Sequence, residues 1–315
     1  MEESVRTLSL ARRPTPMEPL QRLSRSLGVE LWVKRDDLTG FGLSGNKVRK
    51  LEYLLADALE QGADTVITTG GIQSNHARAT AVAARRCGLR PLLLLRGEEP
   101  EVADGNLLLD RLLGAEVRWC SADDYRHRRD EIMAEWADEV RSAGASPYVV
   151  PEGGSNGLGA LGFVAAAEEV LAQGPRFDAV FVAVGSGGTL AGLALGPDIG
   201  RLHGVAVCDD RATFVHIVEG IGAEAERWGL SLPPPGARWD VLEGYQGPGY
   251  GIATPAVWRD IERMARQEGL LLDPVYTGKA WHALCAEVAA QRVGGRVLFW
   301  HTGGTFGMFG RGHEL

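Results

Sequence analysis

The stretch TVITTGGIQSNHARATAVAARRCGLRPLLLL, residues 65–95, decides the fold. Its β-branched start at 65–69 predicts a strand, and the two glycines at 70–71 end it. Apolar residues at helical spacing predict a helix over 75–86, and residues 91–95 predict a second strand. Two apolar strands joined by a helix form a βαβ unit, so we expect these strands to be parallel.

The same alternation continues on both sides of this stretch. Strands are predicted at 31–35, 116–119, 148–150, 177–184 and 296–300, and helices at 47–60, 105–113, 123–143, 160–172, 190–195, 255–267 and 278–291. Because the strands are apolar on both faces, the sequence predicts an α/β protein with mostly parallel sheets covered by helices on both faces. One set of strands begins after Asp64 and ends near Gly154, which predicts a small domain (54–154) inserted into a large one (1–53 and 155–315).

Composition indicates a protein that acts on small molecules. The 315 residues carry a net charge of -8, and this acidic balance argues against nucleic acid or an anionic membrane as partner. The four cysteines lie far apart without a CxxC pair, so neither a zinc site nor a disulfide framework is expected. No apolar run reaches the ~18 residues of a membrane span, and the N-terminal segment lacks the apolar core of a signal peptide. We therefore expect a cytoplasmic protein with no metal site.

Lysine is scarce in this chain. Only four of the 33 basic residues are lysines, at positions 34, 47, 50 and 279. Arginine serves most surface and ion-pairing roles, but it cannot lose its proton and act as a nucleophilic amine. Lys47 follows the small residues Ser44-Gly45-Asn46 at the start of a predicted helix, which makes it a candidate Schiff-base lysine. The alternative is a lysine with no role beyond the helix start.

A glycine-rich turn lies between the predicted strand 177–184 and the helix that follows it. The turn reads Gly185-Ser186-Gly187-Gly188-Thr189, and such a turn offers backbone N–H groups and the positive end of a helix dipole to a phosphate. No Gly-Lys-Ser/Thr follows, so it is not a Walker loop, and Leu190 stands where a dinucleotide fingerprint has its third glycine. A cofactor monophosphate fits this pattern, and a purely steric tight turn is the alternative.

A second glycine-rich segment permits a different class of enzyme. Gly153-Gly154-Ser155-Asn156-Gly157 matches the nucleophile elbow of serine hydrolases. A hydrolase with Ser155 as nucleophile and His301 as base is therefore an alternative.

Two further segments place polar side chains at predicted helix starts. Gln73-Ser74-Asn75-His76 opens the helix that follows the predicted strand 65–69. There, Ser74 or Asn75 can cap the helix and also bind a carboxylate or phenolate oxygen. Tyr276 stands just before another predicted helix, where a buried, hydrogen-bonded tyrosine is the simpler interpretation.

Seven segments together resemble one family across nearly the whole chain. In chain order they are Lys34-Arg35-Asp36-Asp37, Gly45-Asn46-Lys47-Val48-Arg49-Lys50-Leu51-Glu52, Gln73-Ser74-Asn75-His76, Gly153-Gly154-Ser155, the turn at 185–189, Asp273-Pro274-Val275-Tyr276-Thr277-Gly278-Lys279 and His301-Thr302-Gly303-Gly304. They resemble the pyridoxal-phosphate (PLP) enzymes of the tryptophan-synthase-β fold, in the branch of D-cysteine desulfhydrases and 1-aminocyclopropane-1-carboxylate (ACC) deaminases. The resemblance implies two open, twisted sheets and a homodimer.

The resemblance also implies a role for each candidate residue. Lys47 would form the Schiff base with PLP, and the turn at 185–189 would hold the phosphate. Asn75 would bond the phenolate oxygen of the cofactor, and Thr302 its ring nitrogen. Ser74 would hold the substrate carboxylate or assist proton transfer.

The remaining matches concern the substrate. Tyr276 and Tyr245 would flank it on the side away from Lys47. Deaminases of this family carry a glutamate directly after the matching tyrosine, and here that residue is Thr277. A hydroxyl leaves the ring nitrogen closer to neutral and the electron sink weaker, which suffices for β-elimination because the leaving thiolate carries the electrons away. His76 follows Ser-Asn, as is typical of desulfhydrases, and the resemblance implies that it contacts the substrate together with Ser74 and Asn75. The resemblance thus implies β-elimination of D-cysteine to pyruvate, ammonia and hydrogen sulfide.

Two departures keep other activities open. Glu243-Gly244-Tyr245 replaces the Asp-Asp-Tyr expected of bacterial desulfhydrases, and Thr305-Phe306 is bulkier than expected. Both can reshape the substrate pocket, so ACC deaminase and L-cysteate sulfo-lyase remain alternatives. A protein that only binds and carries PLP is a further one.

Overall fold

The computed structural model describes residues 5–314, and side chains as far as Arg311. Its strands are β1 (Met17–Pro19), β2 (Glu30–Arg35), β3 (Thr65–Gly71), β4 (Arg90–Arg96), β5 (Glu116–Cys120), β6 (Pro147–Val149), β7 (Ala179–Val184), β8 (Arg201–Ala206), β9 (Trp239–Leu242) and β10 (Arg296–His301). Its helices are α1 (Gln21–Leu27), α2 (Lys47–Glu60), α3 (Asn75–Arg86), α4 (Gly105–Leu112), α5 (Ala122–His127), α6 (Arg129–Ser142), α7 (Gly157–Gln173), α8 (Gly188–Leu195), α9 (Arg211–Ala225), α10 (Pro255–Glu268), α11 (Thr277–Ala289) and α12 (Thr305–Met308).

These strands form two sheets. The six-stranded sheet has the order β1-β2-β10-β7-β8-β9, and the four-stranded sheet the order β5-β4-β3-β6. Every pairing is parallel except that of the short edge strand β1 with β2. The predicted α/β class with two open, mostly parallel sheets is therefore confirmed.

The small sheet coincides with the segment predicted as an insert. Strands β3 to β6 all lie within residues 54–154, and the other six strands lie outside it. Helix α2 runs across the proposed boundary at 53/54. The domain limits themselves stay a prediction.

Alternating residues of β7 show why the large sheet is covered on both faces. Val180 and Val182 belong to one hydrophobic core, with α7, α8 and α9, while Phe181 and Ala183 belong to a second, with α10 and α11. Because both faces are buried, the strand is apolar throughout, which is the pattern that the sequence showed.

The structure differs from the sequence prediction in four places, one of which is the short helix α12 (Thr305–Met308), which was not predicted. The predicted helix 123–143 is divided at Arg128 into α5 and α6. The chain N-terminal to β2 contributes β1 and α1, and the region 201–242 contributes β8, α9 and β9; these elements were not predicted. Within residues 5–314, no helix combines the length and apolar character needed to cross a membrane.

A buried ionic network fixes α2 to the large sheet. Arg49 donates to both carboxylate oxygens of Asp36 (2.9 and 2.7 Å) and to Glu169 of α7 (3.0 Å), and Lys34 of β2 also pairs with Glu169 (2.5 Å). The Arg49 and Asp36 side chains are both fully buried. A Cβ on Gly162 of α7 would lie 2.2 Å from the Arg49 carbonyl oxygen, so this glycine allows the two helices to approach closely. The first residue of α2 is thereby held in a defined position.

Replacing Arg49 with methionine should lower the free energy of unfolding by about 3–5 kcal/mol, because the Asp36 carboxylate would remain buried without its partner. Urea denaturation of the apoprotein measures this change. Arg296→Met is the matched control, since Arg296 pairs with Glu30 at an exposed site (2.8 Å) and its loss should not shift the midpoint measurably. Equal effects of the two substitutions would contradict a special role for the buried network.

Candidate active site

Lys47 lies where three segments of the large sheet meet at their carboxyl ends. It is the first residue of α2. The preceding residue, Asn46, donates from its backbone to the carbonyl of Thr302 (3.1 Å), just after β10, and from its side chain to Thr189 Oγ1 (2.9 Å), just after β7. The structure thus brings together Lys47, Thr189 and Thr302, which the sequence places more than 100 residues apart.

The environment of Lys47 raises the fraction of its amine that is neutral. Burial lowers the pKa of the Lys47 amine to about 8, although the charges of Glu152 and Asp273 oppose the shift. With that pKa, about half of the amines are neutral at pH 8, against roughly 0.4% for an ordinary lysine. A neutral amine is the form that attacks a carbonyl group or accepts a proton.

A second lysine one turn further along α2 is fully buried beside the glycine-rich turn. Lys50 Nζ donates to Ser155 Oγ (2.9 Å) and to the Gly153 carbonyl (3.1 Å), and Ser155 Oγ lies 2.9 Å from Ser186 Oγ. Burial, and then the charge of Lys47, holds the pKa of Lys50 well below its usual range. Both acceptors of this amine are neutral, so an anion bound beside it would gain a charge-assisted hydrogen bond.

The start of α8 lies beside Ser155 and Lys50. Gly187 has a positive φ of 76°, and α8 begins at the next residue, whose N–H donates to the Ser186 carbonyl (2.9 Å). The N–H groups of a first helical turn have no partner within their helix and can bind an anion. A Cβ on Gly188 would lie 2.6 Å from Ser155 Oγ and 2.7 Å from Lys50 Nζ, and would fill the space between them. These residues fit a phosphate-bearing cofactor. Sequence reasoning missed Lys50, although the scarcity of lysine applied to it as well.

The hydrolase alternative conflicts with this arrangement. Ser155 bonds Lys50, whereas His301 bonds the Leu271 carbonyl through Nε2 (3.0 Å) and accepts from the Gly303 N–H through Nδ1 (3.2 Å). Both ring nitrogens are therefore engaged away from Ser155. The two residues do not form a nucleophile–base pair.

The N-terminus of α3 presents two of the predicted polar residues. Ser74 is the N-cap, and its Oγ accepts from the Ala77 N–H (3.1 Å). Asn75 Oδ1 accepts from Asn106 Nδ2 (3.0 Å), which orients the Asn75 amide so that its NH₂ remains a donor. The first backbone N–H groups of the helix and the Asn75 amide can therefore bind negatively charged oxygens.

His76, which was predicted to contact the substrate, is buried against β3, and its role stays a prediction. The residue is 3% exposed, its Nε2 lies 2.8 Å from Thr68 Oγ1 of β3, and Thr68 in turn donates to the Val150 carbonyl. Because the Thr68 proton is used there, His76 Nε2 carries the donor. Burial, then the charges of Lys47 and Lys50, keeps the pKa of His76 well below its usual range, so the ring is neutral.

Two tyrosines meet beside the glycine-rich turn, and one of them was not predicted. The Tyr276 ring packs on Gly185, where a Cβ would come within 2.9 Å, and its hydroxyl lies 2.7 Å from that of Tyr250. Burial, then Tyr250, raises the pKa of Tyr276 well above its usual range. Tyr245, expected beside the substrate, instead donates to Glu287 (2.6 Å) and packs against the core. Tyr250 lines the cavity described below, and the role of Tyr245 beside the substrate stays a prediction.

The fourth lysine explains where the loop bearing Tyr250 lies. Lys279 of α11 is fully buried, and its amine donates to the carbonyls of Val207 (3.0 Å), Gln246 (2.5 Å) and Gly249 (2.9 Å). Two of these carbonyls belong to the loop that precedes Tyr250. Burial lowers the pKa of Lys279 to about 8.

Tyr250 and Tyr245 give a matched pair of substitutions. Tyr250→Phe should lower kcat/KM about tenfold or more, because it removes the hydrogen bond to the Tyr276 hydroxyl. Tyr245→Phe should leave turnover within about twofold and cost up to about 1 kcal/mol of stability, because the lost bond to Glu287 is structural. Steady-state kinetics and thermal melts measure both effects. The assignment fails if Tyr245→Phe is the variant that loses activity.

Thr277, at the position where the family resemblance implies a glutamate in deaminases, is the first residue of α11 and is hydrogen-bonded to Asp273. Its hydroxyl donates to Asp273 Oδ1 (2.6 Å) and accepts from the Asp273 N–H (2.8 Å). Asp273 also accepts from the backbone N–H groups of residues 275, 276 and 277. The side chain at position 277 is thus committed locally and supplies no carboxylate.

A cavity of about 440 Å³ opens beside these groups. It is lined by Asn75 and Tyr276 from the predicted set and by Tyr250 and Arg96, which were not predicted. Lys47 and Ser74 are not among the residues that line it.

The comparisons with known proteins agree with this geometry. The family model described as "Pyridoxal-phosphate dependent enzyme" matches residues 8–303. A solved structure described as an ACC deaminase homologue superimposes with a TM-score of 0.93 at 41% identity, covering 99% of this chain and 95% of that one.

The curated relatives are named after two activities, ACC deaminase and D-cysteine desulfhydrase. A putative ACC deaminase from Thermotoga maritima is 45% identical, covering 98% of this chain and 99% of the relative. The D-cysteine desulfhydrase of Serratia proteamaculans is 44% identical over 96% of this chain and 94% of the relative. A mitochondrial protein of Arabidopsis thaliana, named as a bifunctional enzyme with both activities, is 41% identical over 98% of this chain and 80% of the relative.

Proposed function

The chain belongs to the pyridoxal-phosphate-dependent enzyme family, and we propose that it catalyses the β-elimination of D-cysteine. In the overall reaction, D-cysteine and water give pyruvate, ammonia and hydrogen sulfide. The observation that carries the choice of substrate is Thr277, whose hydroxyl is committed to Asp273 where deaminases of this family have a glutamate. Opening a cyclopropane ring requires a stronger electron sink than releasing a thiolate.

We propose that the residues around Lys47 hold the cofactor. The phosphate would bind the N–H groups at the start of α8, with Lys50 as its cation and Ser155 and Ser186 as hydroxyl partners. Asn75 would contact the phenolate oxygen of the ring, and Thr302 its nitrogen. When bound, PLP supplies an aldehyde for the substrate amine and an electron sink for the bond that breaks at the α-carbon.

The chain's own groups would position the substrate and move its proton. The substrate carboxylate would bind at the N-terminus of α3, beside Ser74. The Lys47 amine, with its lowered pKa, would take the proton from the α-carbon. The Cβ–S bond then breaks, and its electron pair leaves on sulfur as hydrosulfide. The remaining 2-aminoacrylate is hydrolysed to pyruvate and ammonia.

The hydroxyl groups of Tyr276 and Tyr250 would lie on the side of the substrate away from Lys47. Because the pKa of Tyr276 is raised, its hydroxyl stays protonated and can donate to the departing sulfur.

A product assay tests the proposed substrate. D-cysteine, L-cysteine, L-cysteate and ACC are supplied in turn, and pyruvate, 2-oxobutyrate, sulfide and sulfite are measured. We expect pyruvate and sulfide in equal amounts from D-cysteine. 2-Oxobutyrate from ACC at a comparable kcat/KM would contradict the argument from Thr277, and would favour the deaminase activity that other relatives' names carry.

We also propose that the protein acts in the cytoplasm as a homodimer. Four free cysteines, two of them buried, suit a reducing compartment. Exposed apolar side chains such as Phe41 (86% exposed) and Phe309 (70%) offer surface for a second copy. Light scattering on the purified protein measures its mass, and a monomer at micromolar concentration would contradict the dimer.

A further inference from the structure

Arg96 is a cation in the cavity wall, and no side chain within residues 5–311 supplies it with an anion. It is the last residue of β4 and is half-buried, and it lines the same cavity as Asn75 and Tyr276. Within residues 5–311 its guanidinium makes no hydrogen bond or salt bridge; its contacts are with two aromatic rings.

The contrast with other arginines makes this arrangement informative. Arg49 is paired with Asp36 and Glu169, and Arg129 with Glu152. A guanidinium carries five donors and cannot lose its proton, so burying part of it without acceptors is unfavourable unless a ligand supplies them.

The two rings hold the Arg96 guanidinium without using its hydrogen-bond donors. Its Cζ lies 5.2 Å from the ring centroid of Tyr125, on α5, and 5.2 Å from that of Tyr250. Cation–π contacts occupy the faces of the guanidinium plane, whereas the N–H groups point outward from its edge. Since Tyr250 bonds Tyr276, Arg96 is linked to the tyrosine pair proposed to face the substrate.

We propose that Arg96 is a specificity-determining residue that binds a negatively charged group on the β-carbon of the substrate. This inference rests on the proposed function, which assigns the substrate carboxylate to the N-terminus of α3 and leaves Arg96 for the other end of the molecule. The anion can be the thiolate that leaves from cysteine or a sulfonate already present on the substrate. In either case the electron pair of the Cβ–S bond departs with sulfur, as hydrosulfide or as sulfite, while Arg96 keeps its protons. ACC offers no such group.

Binding of a charge-matched pair of ligands tests this role. Aspartate and asparagine have nearly the same shape, only aspartate is charged at the β-position, and neither has a leaving group for β-elimination. Each enantiomer is titrated into the holoenzyme by calorimetry. We expect one enantiomer of aspartate to bind about tenfold or more tightly than the matching asparagine, as a charge-assisted hydrogen bond allows.

Two variants distinguish a role of the Arg96 charge from a role of Arg96 in the fold. Arg96→Gln should bring the ratio of the two dissociation constants close to one while leaving asparagine binding unchanged, and Arg96→Lys should keep part of the preference. Equal weakening of aspartate and asparagine by Arg96→Gln would overturn the proposal, because it would mean that Arg96 serves the α-carboxylate or the fold. An unmodified protein that binds both ligands equally would overturn it too.

The turnover assay identifies the source of the anion and keeps the two proposals distinguishable. Sulfide from cysteine with a greatly reduced rate in Arg96→Gln supports a leaving thiolate, and sulfite from cysteate with the same loss supports a sulfonate. Failure to form pyruvate from either would contradict the proposed function, whereas the ratio of aspartate to asparagine binding reports on Arg96 independently of turnover.

Discussion

Replacing Lys47 with arginine should lower turnover by about 10⁴-fold or more, the loss typical when a group that acts directly on the substrate is removed. Arginine keeps a positive charge and a long side chain, but its pKa prevents it from presenting a neutral nitrogen. The native amine does so because burial lowers its pKa to about 8. The variant should also fail to develop the visible absorbance band of cofactor bound through a lysine.

Lys47→Ala provides the control for this prediction. It should be as inactive as Lys47→Arg, but small amines such as ethylamine should restore part of its activity, because they can enter the space left by the side chain. A structural role for Lys47 would show the reverse pattern, with arginine active and no rescue of alanine. Full turnover by either variant with cofactor present would contradict the assignment.

Replacing Lys50 with methionine should weaken binding of the cofactor phosphate about 10- to 100-fold, since a hydrogen bond to a charged group contributes about 1.5–3 kcal/mol. The probe is pyridoxine 5′-phosphate, which has no aldehyde and so reports on the phosphate without reaction at Lys47. Pyridoxine, which lacks the phosphate, is the matched ligand and should bind both proteins alike. Calorimetry on the apoprotein measures the four affinities.

Proton uptake gives this prediction a second readout. The pKa of Lys50 is well below its usual range in the apoprotein, so a phosphate beside it should raise that pKa and draw a proton onto the amine. Binding of pyridoxine 5′-phosphate should therefore weaken as pH rises, and its heat should depend on the buffer. Lys50→Met should lose the part of both effects that comes from Lys50. An unchanged affinity ratio in the variant would place the phosphate elsewhere.

The parts of this molecule that sequence could predict are those governed by local patterns. Residues 65–95 predicted a parallel βαβ unit because a buried parallel strand is apolar on both faces and a helix repeats every 3.6 residues. Strand β8, in contrast, contains Arg201, His203 and Gly204, so its pattern resembled a loop. Its strand conformation is supported by pairing with β7 and β9, which a local pattern does not contain.

In the site, too, local patterns predicted some residues, whereas others depend on contacts between distant parts of the chain. The scarcity of lysine reduced the candidates to four, and the small residues before a predicted helix start singled out Lys47 among them. The choice between Tyr245 and Tyr250 depended on how the loop containing them folds, and Lys279 holds that loop from about 30 residues away. Likewise, the position of Arg96 in the cavity wall becomes apparent only when β4 is placed next to the cavity.

The most direct test of the account asks which lysine carries the cofactor. The holoenzyme is reduced with borohydride, which fixes the cofactor permanently to its amine, and the digested protein is mapped by mass spectrometry. Because the chain has only four lysines, every candidate can be followed. We predict the label on Lys47 alone, at one cofactor per chain; a label on Lys50 or Lys279, or no label on a protein that turns over substrate, would contradict the account.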